Sequence, residues 1–434
     1  MTSESGVKDR EKVLILDGVR TPLCKAGTDL AGWNAVELGR MAFRAVLDRT
    51  GLDPGVFDEV IVGCVGQPSE AQNVARAVAL AAGVPRSVPA VTVHRNCASG
   101  FEAITTAAER IRLGRGQIYL VGGTESMSNY PLLYSKSFTD WFASFAKAKS
   151  PAEKLAALVR FRPGMLKPRI GVVEGLTDYS CGIIMGKTAE NLAVEFSISR
   201  REQDEFALMS HQRAIAARER LAEEISPVPS ADFSKWIDQD NGPRENQSME
   251  ALGKLRPYFD RTAGTVTVGN ACPITDGAAA MIVLSESRCR SLGLQAKGRL
   301  LDWKYAGLDP HRMGLGPVFA TARLLEATNL RLSDFDLVEL NEAFAAQVIA
   351  CERAFASKEF AERELGRSLP LGTLDRERLN VNGGAIALGH PVGMTGTRLV
   401  LTLLEELRRR EKTLGLATLC IGGGQGGAVA VERI

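Results

Sequence analysis

The sequence has no long apolar run, and none approaches the roughly 20 residues that a membrane-spanning helix needs. Its first residues, MTSESGVKDREK, have no apolar core and carry acidic side chains, which is not the pattern of a secretory signal. The last residues, AVERI, contain no peroxisomal or lipidation signal. We therefore expect a soluble protein of the cytoplasm.

Cysteine pairs with metal-binding spacing are also absent. The eight cysteines are scattered, without a C-x-x-C pair or a Cys/His spacing suited to zinc, so we expect reduced thiols and no metal site. A net charge of only +2 favours neither nucleic acid nor an acidic substrate. Hydrophobic residues make up 45% of the 434 residues and charged residues 24%, the ordinary balance for a globular enzyme of two or three packed units.

Short apolar runs alternate with helical patterns at both ends of the chain, which predicts parallel sheets covered by helices. Asn34 and Glu37 predict a capping box ahead of the first helix, and FEAITTAAERIRLG predicts a helix directly after Cys97. Strands are predicted at KVLILDGVR (12–20), FDEVIVGCV (57–65), VPAVTV (88–93) and QIYLVGG (117–123).

The second half of the chain repeats this order of elements. FDLVELNEAF (335–344) echoes 57–65, GLATLCIGGG (415–424) echoes 117–123, and 378–410 echoes the strand, small-residue turn and helix around Cys97. A duplicated βαβ unit explains this order. Two similar halves would bring their sheet-end loops together, so we expect a reactive site built from both.

The region between the halves has a different pattern. Ser150 with Glu153 and Ser199 with Glu202 predict capped helices, the second one running through 201–225. The polar segment 238–248 is typical of a linker, and GTVTVGN (264–270) predicts a return to strand structure. We expect an inserted, mainly helical loop domain.

Three residues stand where chemistry is expected. Cys97 lies between an apolar strand and a helix, where unpaired N–H groups and the positive end of the helix dipole favour a thiolate. His390 lies in the glycine-rich NGGAIALGHPVGMTG, where backbone can approach a ligand closely, and is a candidate general base. Cys420 opens CIGGGQGG at a strand end and could hold or donate a proton.

From the residues alone, Cys97 and Cys420 could each instead be a small buried hydrophobic side chain, and His390 could cap a turn, although that would explain the glycines poorly. The other six cysteines are interpreted as such buried side chains, with a binding position for Cys272 added below. His94, His211 and His311 are interpreted as structural, solvated or without an assigned role.

With these motifs the sequence resembles the thiolase family over nearly its whole length. DGVRTPLCKAG, NCASGFEAI, GGTESMSNYP, MGKTAENLA, GTVTVGN, DGAAA, NEAFAAQ, NVNGGAIALGHPVGMTGTR and CIGGGQGG occur in family order and spacing. The resemblance implies an α/β fold of duplicated βαβ halves in α-β-α-β-α layers. The N-terminal half is then 1–130, completed by about 262–290, the loop domain is 131–261, and the C-terminal half is 291–434.

The resemblance also implies roles for individual residues. Cys97 is the acylated nucleophile, His390 its activating base and Cys420 the second acid/base. Asn341 holds a water that joins His390 in one oxyanion hole, while the backbone N–H groups of Cys97 and Gly422 form the other. Met185, Ala343 and Phe344 line the pantetheine channel, and Cys272, followed by Pro273, replaces a serine that binds the CoA arm.

The activity that the resemblance implies is thiolytic cleavage of 3-ketoacyl-CoA to acetyl-CoA and a shortened acyl-CoA in fatty-acid β-oxidation. CoA enters as substrate, and no other cofactor is implied. The alternatives are an acetyl-CoA acetyltransferase, a decarboxylating condensing enzyme, against which Cys420 argues, and a non-catalytic complex subunit. Similar proteins are homodimers or homotetramers.

The middle segment is similar to that of thiolase subunits in fatty-acid-oxidation complexes, although those subunits usually have histidine at Asn341. Phe138, Trp141, Phe142 and Phe145 form one face of a predicted helix, and 136–169 has a local charge of +6 from eight basic and two acidic residues. This face could contact a membrane or a hydratase/dehydrogenase partner. Core packing is the more usual role of such a stripe, and we expect it here.

Overall fold

The computed structural model describes residues 11–434. Residues 1–10, which contain most of the segment interpreted as lacking a secretory signal, lie outside the described residues. Among the residues described, no helix is long and apolar enough to cross a membrane.

The N-terminal part alternates strands and helices as the sequence predicts. All four predicted strands form, and the capping box of Asn34 and Glu37 is present at the first helix. The elements are β1 (Val13–Arg20), β2 (Cys24–Lys25), α1 (Ala35–Thr50), β3 (Glu59–Gly63), α2 (Val74–Ala81), β4 (Ala90–Val93), α3 (Ser99–Arg112) and β5 (Ile118–Ser126).

The middle region is mainly helical, and both of its predicted capping boxes form, at Ser150 and Ser199. Its elements are β6 (Leu132–Leu133), α4 (Lys136–Lys147), α5 (Pro151–Arg160), β7 (Arg169–Ile170), α6 (Gly171–Gly175), α7 (Met185–Glu195), α8 (Arg200–Ala216), α9 (Arg218–Ala222), β8 (Val228–Pro229), β9 (Trp236–Ile237) and α10 (Met249–Gly253).

The C-terminal part returns to alternating strands and helices. Its elements are β10 (Thr275–Ser285), α11 (Glu286–Ser291), β11 (Gly298–Gly307), α12 (Gly316–Thr328), β12 (Leu337–Leu340), α13 (Ala345–Ala356), α14 (Lys358–Leu365), α15 (Ala385–Leu388), α16 (Thr395–Arg409), β13 (Leu414–Ile421) and β14 (Gln425–Arg433). Short 3₁₀ turns lie at Pro54–Val56, Met127–Asn129, Pro163–Leu166, Pro310–Leu315 and Leu332–Asp334.

The sheet consists of two similar halves. One half has the order β4-β3-β5-β10-β1, the other β11-β14-β13-β12, and a short pairing of β1 with β11 joins them. In each half one parallel strand pair lies at the equivalent position, β3 with β5 in the first half and β12 with β13 in the second. The expected duplication is confirmed by this matching order.

Two helices fill the space between the half-sheets. Apolar side chains of α3 and α16 form one core cluster with side chains from β1, β5, β10, β11, β13 and β14. The outer faces are covered by α1 and α2 on one side and by α12 and α13 on the other. This arrangement confirms the predicted α-β-α-β-α layers, whereas the exact domain boundaries stay a prediction.

Two predicted strands are replaced by loops because side chains take over the backbone hydrogen bonds. In 264–270 the Glu190 carboxylate accepts the N–H groups of Thr265 (2.8 Å) and Val266 (3.0 Å). In 378–383 only Leu379 bridges to β12, and the Asn380 side chain accepts from Leu340 N and donates to Leu340 O, both at 2.8 Å. These partners lie far away in the sequence.

The predicted helix over 201–225 is shorter than expected. It ends at Ala216, and a separate turn of helix follows as α9. The chain beyond is held by β1 instead, since Arg20 N donates to Glu224 O (2.8 Å) and the Arg20 guanidinium pairs with the Glu224 carboxylate (2.6 Å).

The aromatic stripe of α4 does not pack on the core, so that expectation is wrong. Helix α4 has no buried residue, and Phe142 is 57% exposed. Trp141 instead stacks against Phe145 and contacts Phe161 of the segment after α5, with ring centroids 5.7 and 4.8 Å apart. We call 134–170 the helical hairpin, and none of its described residues belongs to a core cluster.

Candidate active site

Cys97 lies in the turn between β4 and α3. Asn96 adopts a left-handed conformation (φ 45°), which asparagine tolerates, and this turns the chain sharply before the helix. Ser99 locks the turn, because its hydroxyl donates to Asn96 O (2.7 Å) and accepts from Arg95 N (2.9 Å). The thiol is therefore held immediately before the first turn of a buried helix.

The turn that holds Cys97 also contacts the C-terminal half of the chain. Asn96 Nδ2 donates to Gly422 O at 2.8 Å, and the Gly422 N–H is directed at the Cys97 thiol. Burial raises the pKa of Cys97, although the N–H groups of Gly422 and of Cys97 itself oppose the rise. The prediction that the helix start favours a thiolate at Cys97 is thus wrong, because burial raises the pKa of Cys97 more than the N–H groups lower it. The resting thiol therefore needs a base.

His390 is a buried imidazole whose tautomer follows from its hydrogen bonds. Its Nδ1 lies 2.7 Å from Thr395 Oγ1, and that hydroxyl donates its only hydrogen to Pro391 O at 2.9 Å. The hydroxyl must therefore accept from Nδ1–H, which leaves the lone pair on Nε2. Asn341 Nδ2 lies 3.5 Å from that Nε2.

The imidazole is neutral over the ordinary pH range. Burial, and then the charge of Arg398, lower the pKa of His390 to about 3. Arg398 is itself buried and pairs with Glu339 at 2.9 Å. A neutral imidazole with a free Nε2 can accept a proton from a thiol.

Cys420 lies at the end of β13, two residues before Gly422. Burial raises the pKa of Cys420 well above its ordinary value, and Cys97, Cys351 and Cys272 raise it further through their charges. The thiol is protonated at rest and can act as an acid. Of these three charges, that of Cys97 has the largest effect on the pKa of Cys420, so the Cys97 sulfur lies within electrostatic range of Cys420.

Glycines bring the two halves close enough for this site to form. A Cβ added to Gly100 of α3 would lie 2.5 Å from Thr397 N of α16, so the amino-terminal turns of the two helices touch. Cys97 precedes one of these helices and His390 the other. Only a residue without a side chain permits this approach.

Glu125 is a site residue that the sequence analysis missed. Its carboxylate is buried at the end of β5 and accepts from Val65 N, Gly66 N, Tyr130 Oη and Gly393 N at 2.8–3.1 Å. It thereby ties the N-terminal loops to the segment after His390. The available signal was an acidic residue near the end of a strand whose other residues are uncharged, within GGTESMSNYP.

Two neighbouring cavities are lined by Cys97 and by His390, respectively. The thiol cavity, of about 410 Å³, is lined by Cys97 and Gly422. The imidazole cavity, of about 440 Å³, is lined by His390, Cys272 and Phe344. Both cavities are lined by Met127, Leu176, Met185 and Val392, which form their common wall.

The predicted binding residues are therefore mostly together. Met185, Cys272 and Phe344 face the imidazole cavity, whereas Ala343 lines neither cavity and its carbonyl accepts from Cys272 N at 3.0 Å. Their assigned roles stay predictions.

Of the other histidines, His94 lies in the turn before Cys97, where its Nδ1 accepts from Asn96 N at 3.4 Å, and the remaining two line neither cavity. His211 Nδ1 accepts from Arg244 N (3.2 Å), and His311 lies beside Asp309 (3.0 Å). All eight cysteines are free thiols. Within 11–434, no group of three or more His, Cys, Asp or Glu side chains is arranged to hold a metal ion.

Comparison with known proteins identifies similar sequences over the full length. The family model "Thiolase, N-terminal domain" matches residues 13–287, and "Thiolase, C-terminal domain" matches 294–433. Proteins named 3-ketoacyl-CoA thiolase from Pectobacterium carotovorum and Serratia proteamaculans are each 40% identical over 425 residues, 97% of both chains.

Two solved structures are similar to this chain over nearly its whole length. Human mitochondrial 3-ketoacyl-CoA thiolase in complex with CoA is 36% identical, with a TM-score of 0.84 over 98% of both chains. The acetyl-CoA acetyltransferase of Bacillus anthracis is 37% identical, with a TM-score of 0.86 over 98% of this chain and 99% of that one.

Proposed function

The chain belongs to the thiolase family, and from this premise we propose that it cleaves 3-ketoacyl-CoA with CoA to acetyl-CoA and a shortened acyl-CoA, as in fatty-acid β-oxidation. It is an acyltransferase, and the proposed intermediate is an acyl group on Cys97. The observation that carries the proposal is the Nε2 lone pair of neutral His390, fixed by Thr395, in a cavity that shares a wall with the cavity lined by Cys97.

In the first half-reaction His390 Nε2 takes the proton of Cys97, and the thiolate attacks the 3-keto carbon. The new oxyanion belongs to the carbon bonded to Sγ, so the N–H groups of Cys97 and Gly422, which face the thiol, stabilise it. When the carbon–carbon bond breaks, the acetyl-CoA enolate leaves.

The leaving enolate needs donors of its own. Protonated His390 supplies one from Nε2. Asn341 Oδ1 is buried without a hydrogen-bond partner, so it can accept from a water that supplies the second. Cys420 then protonates the enolate carbon, and its thiolate takes the proton of the incoming CoA. The CoA sulfur attacks the acyl carbon, and the Cys97 thiolate leaves and regains its proton from His390.

Steady-state kinetics tests this scheme. Thiolysis of 3-ketoacyl-CoA should release acetyl-CoA before CoA adds, giving ping-pong kinetics with parallel double-reciprocal lines. Converging lines, or a reaction in which acetyl-CoA appears only when both substrates are bound, would contradict it.

An acetyl-CoA acetyltransferase is the second candidate, because the similar Bacillus anthracis structure has that name. It would run the same steps on acetoacetyl-CoA. Relative kcat/KM values over a series of 3-ketoacyl-CoA chain lengths separate the two, since a sharp preference for acetoacetyl-CoA favours the second candidate.

A homo-oligomer is part of the proposal. Support comes from β4, the outer strand of the N-terminal half-sheet, whose four residues are only half-buried, whereas the other outer strand, β12, is fully buried. An uncovered strand edge is suited to pairing with a second copy. Light scattering gives the mass in solution, and a monomer would exclude this pairing.

The helical hairpin is proposed to bind an anionic membrane surface. Phe142, Leu155, Leu158 and Val159 are 52–70% exposed, and the hairpin region carries the local charge of +6. Exposed apolar side chains beside basic ones are typical of interfacial helices. A hydratase/dehydrogenase subunit is the alternative occupant of this surface.

Co-sedimentation with vesicles of anionic phospholipid tests the membrane proposal. Binding should weaken with salt and in a Phe142→Glu, Leu158→Glu variant, with Leu113→Glu as a control, since Leu113 is exposed elsewhere on the chain. Equal binding of all variants, or no binding by any of them, would overturn the membrane proposal.

The free state of all eight thiols supports a reducing compartment, the cytoplasm.

A further inference from the structure

The proposed chemistry requires two ligands at Cys97 in turn. The acyl group stays bonded to Sγ while one CoA leaves and a second CoA arrives, and both CoA thiols must reach the same carbon. If the acyl chain lay in the passage used by CoA, it would block the second half-reaction. The acyl chain and the CoA arm therefore need separate cavities.

The two cavities at the site meet this requirement. Sγ of Cys97 opens into the thiol cavity, so an acyl group on it starts there. Cys272 and Phe344, the predicted CoA-arm residues, line the imidazole cavity. We infer that the thiol cavity holds the acyl chain and that Tyr130 limits its length, an inference that rests on the proposed function.

Part of the lining of the thiol cavity suits a hydrocarbon chain. Its apolar residues are Val65, Met127, Leu176, Val392 and the Tyr130 ring. Thr177, Asp178 and Ser180 also line this cavity, and Asp178 Oδ1 accepts from the N–H and hydroxyl of Ser180 at 2.7 and 2.5 Å. The space for a hydrocarbon chain is therefore limited, because a chain placed against these polar residues gains no apolar burial.

Tyr130 is a fixed part of this wall. Its hydroxyl donates to Glu125 Oε1 at 2.8 Å, and the same oxygen accepts from Gly66 N at 2.8 Å. The ring lies directly over Gly66, where an added Cβ would fall 1.9 Å from a ring atom. A ring held by a buried carboxylate on one side and by backbone on another cannot swing away to admit a longer chain.

The test compares kcat/KM for 3-ketoacyl-CoA substrates of increasing chain length, beginning with acetoacetyl-CoA. Tyr130→Leu enlarges the cavity. It should raise the ratio of kcat/KM for a long-chain substrate to kcat/KM for a short-chain one (the long-to-short ratio) about fourfold for each methylene newly buried. Val65→Phe fills the cavity and should lower the ratio. Tyr130→Phe, which keeps the ring, should leave the ratio close to that of the wild type.

Val268→Phe is the matched control, because Val268 is 57% exposed and lines only the imidazole cavity of the two. It should raise KM for CoA by the same factor with every acyl chain. If Val268→Phe shifts the long-to-short ratio while Val65→Phe and Tyr130→Leu do not, the acyl chain lies in the imidazole cavity and the inference is wrong. Should Tyr130→Leu fail to fold, Val65→Phe decides alone.

The same measurements distinguish failure of this cavity assignment from failure of the proposed function. A wild-type protein that cleaves no 3-ketoacyl-CoA overturns the proposed function itself. A wild-type protein that cleaves several chain lengths, with a ratio that none of the cavity variants changes, overturns only the assignment of the cavity.

Discussion

Burial sets the protonation states of both Cys97 and His390. Burial keeps Cys97, the proposed nucleophile, protonated and His390, the proposed base, neutral, so the proton stays on sulfur until a substrate is present. The sequence could place both residues at helix starts. It could not give the net sign of the Cys97 shift, because desolvation depends on residues packed around it from both halves.

Replacing Cys97 by alanine should abolish acyl transfer and leave the fold intact, since the change removes one sulfur next to a turn fixed by Ser99. The measurement pairs an activity assay with a thermal unfolding midpoint. Cys289→Ala removes a buried thiol outside the site and should retain activity. Near wild-type turnover in the Cys97 variant would refute the nucleophile assignment.

Cys420→Ser should slow turnover sharply while Cys97 can still be alkylated by iodoacetamide. A hydroxyl is a far weaker acid than a thiol, so the enolate loses its proton donor, whereas His390 still activates Cys97. Peptide mass spectrometry locates the alkylated residue. Loss of Cys97 alkylation in this variant would mean that Cys420, and not His390, controls the nucleophile.

The low pKa of His390, about 3, makes stability depend on pH. The unfolded imidazole takes a proton below about pH 6.5, but the folded one does not, so stability falls as pH drops below that value. Between pH 7.5 and 5.5 this residue should contribute a loss on the order of 1 kcal/mol in the free energy of unfolding.

Urea unfolding at the two pH values measures this contribution. His390→Asn should lose less stability on acidification than the wild type. His211→Asn, which leaves the site unchanged, should show a similar reduction in the loss, because burial also lowers the pKa of His211 to about 4. An unchanged pH dependence in His390→Asn would show that the imidazole is charged in the folded protein.

Helices and strands could be predicted where local signals decide them. Capping boxes at Asn34, Ser150 and Ser199, and apolar runs such as 12–20, appear in the structure as expected. Strands are predicted at 264–270 and 378–383, but Glu190 accepts the backbone N–H groups of the first segment, and in the second the Asn380 side chain, in place of backbone, bonds Leu340 of β12. Their apolar patterns are those of strands, and the contacts that override them are not local.

The contact between α3 and α16 should be sensitive to one methyl group. Gly100→Ala places a Cβ against Thr397 N, and the backbone must shift, which should cost about 1–3 kcal/mol and reduce activity by displacing Cys97 from His390. Gly253→Ala is the control, because nothing lies within 4 Å of its added Cβ. Equal stability of the two variants would argue against this close crossing.

Within residues 11–434 the chain forms a pair of similar half-sheets with the candidate site between them and an outlying hairpin. The order of motifs in the sequence predicted the duplication, which the sheet order confirms, whereas a single site shared by Cys97, His390 and Cys420 stays a prediction. It did not predict the exposure of the aromatic stripe, because a helical pattern shows which residues share a face but not what covers that face.

Removing the hairpin should therefore leave the rest of the protein folded. β6 and β7 already pair at Leu132 and Ile170, so a short turn could replace 136–167. We expect an unfolding midpoint near that of the full chain and retained thiolysis of acetoacetyl-CoA. Collapse of the fold in the shortened protein would show that the hairpin stabilises the sheets after all.

Mass spectrometry of the protein mixed with 3-ketoacyl-CoA, without added CoA, tests the central chemistry most directly. A single acyl group should appear on the peptide containing Cys97, with acetyl-CoA released in equal amount, and the adduct should vanish when CoA is added. An acyl group on Cys420 or Cys272 instead, or product formation with no adduct on Cys97, would contradict the proposed mechanism.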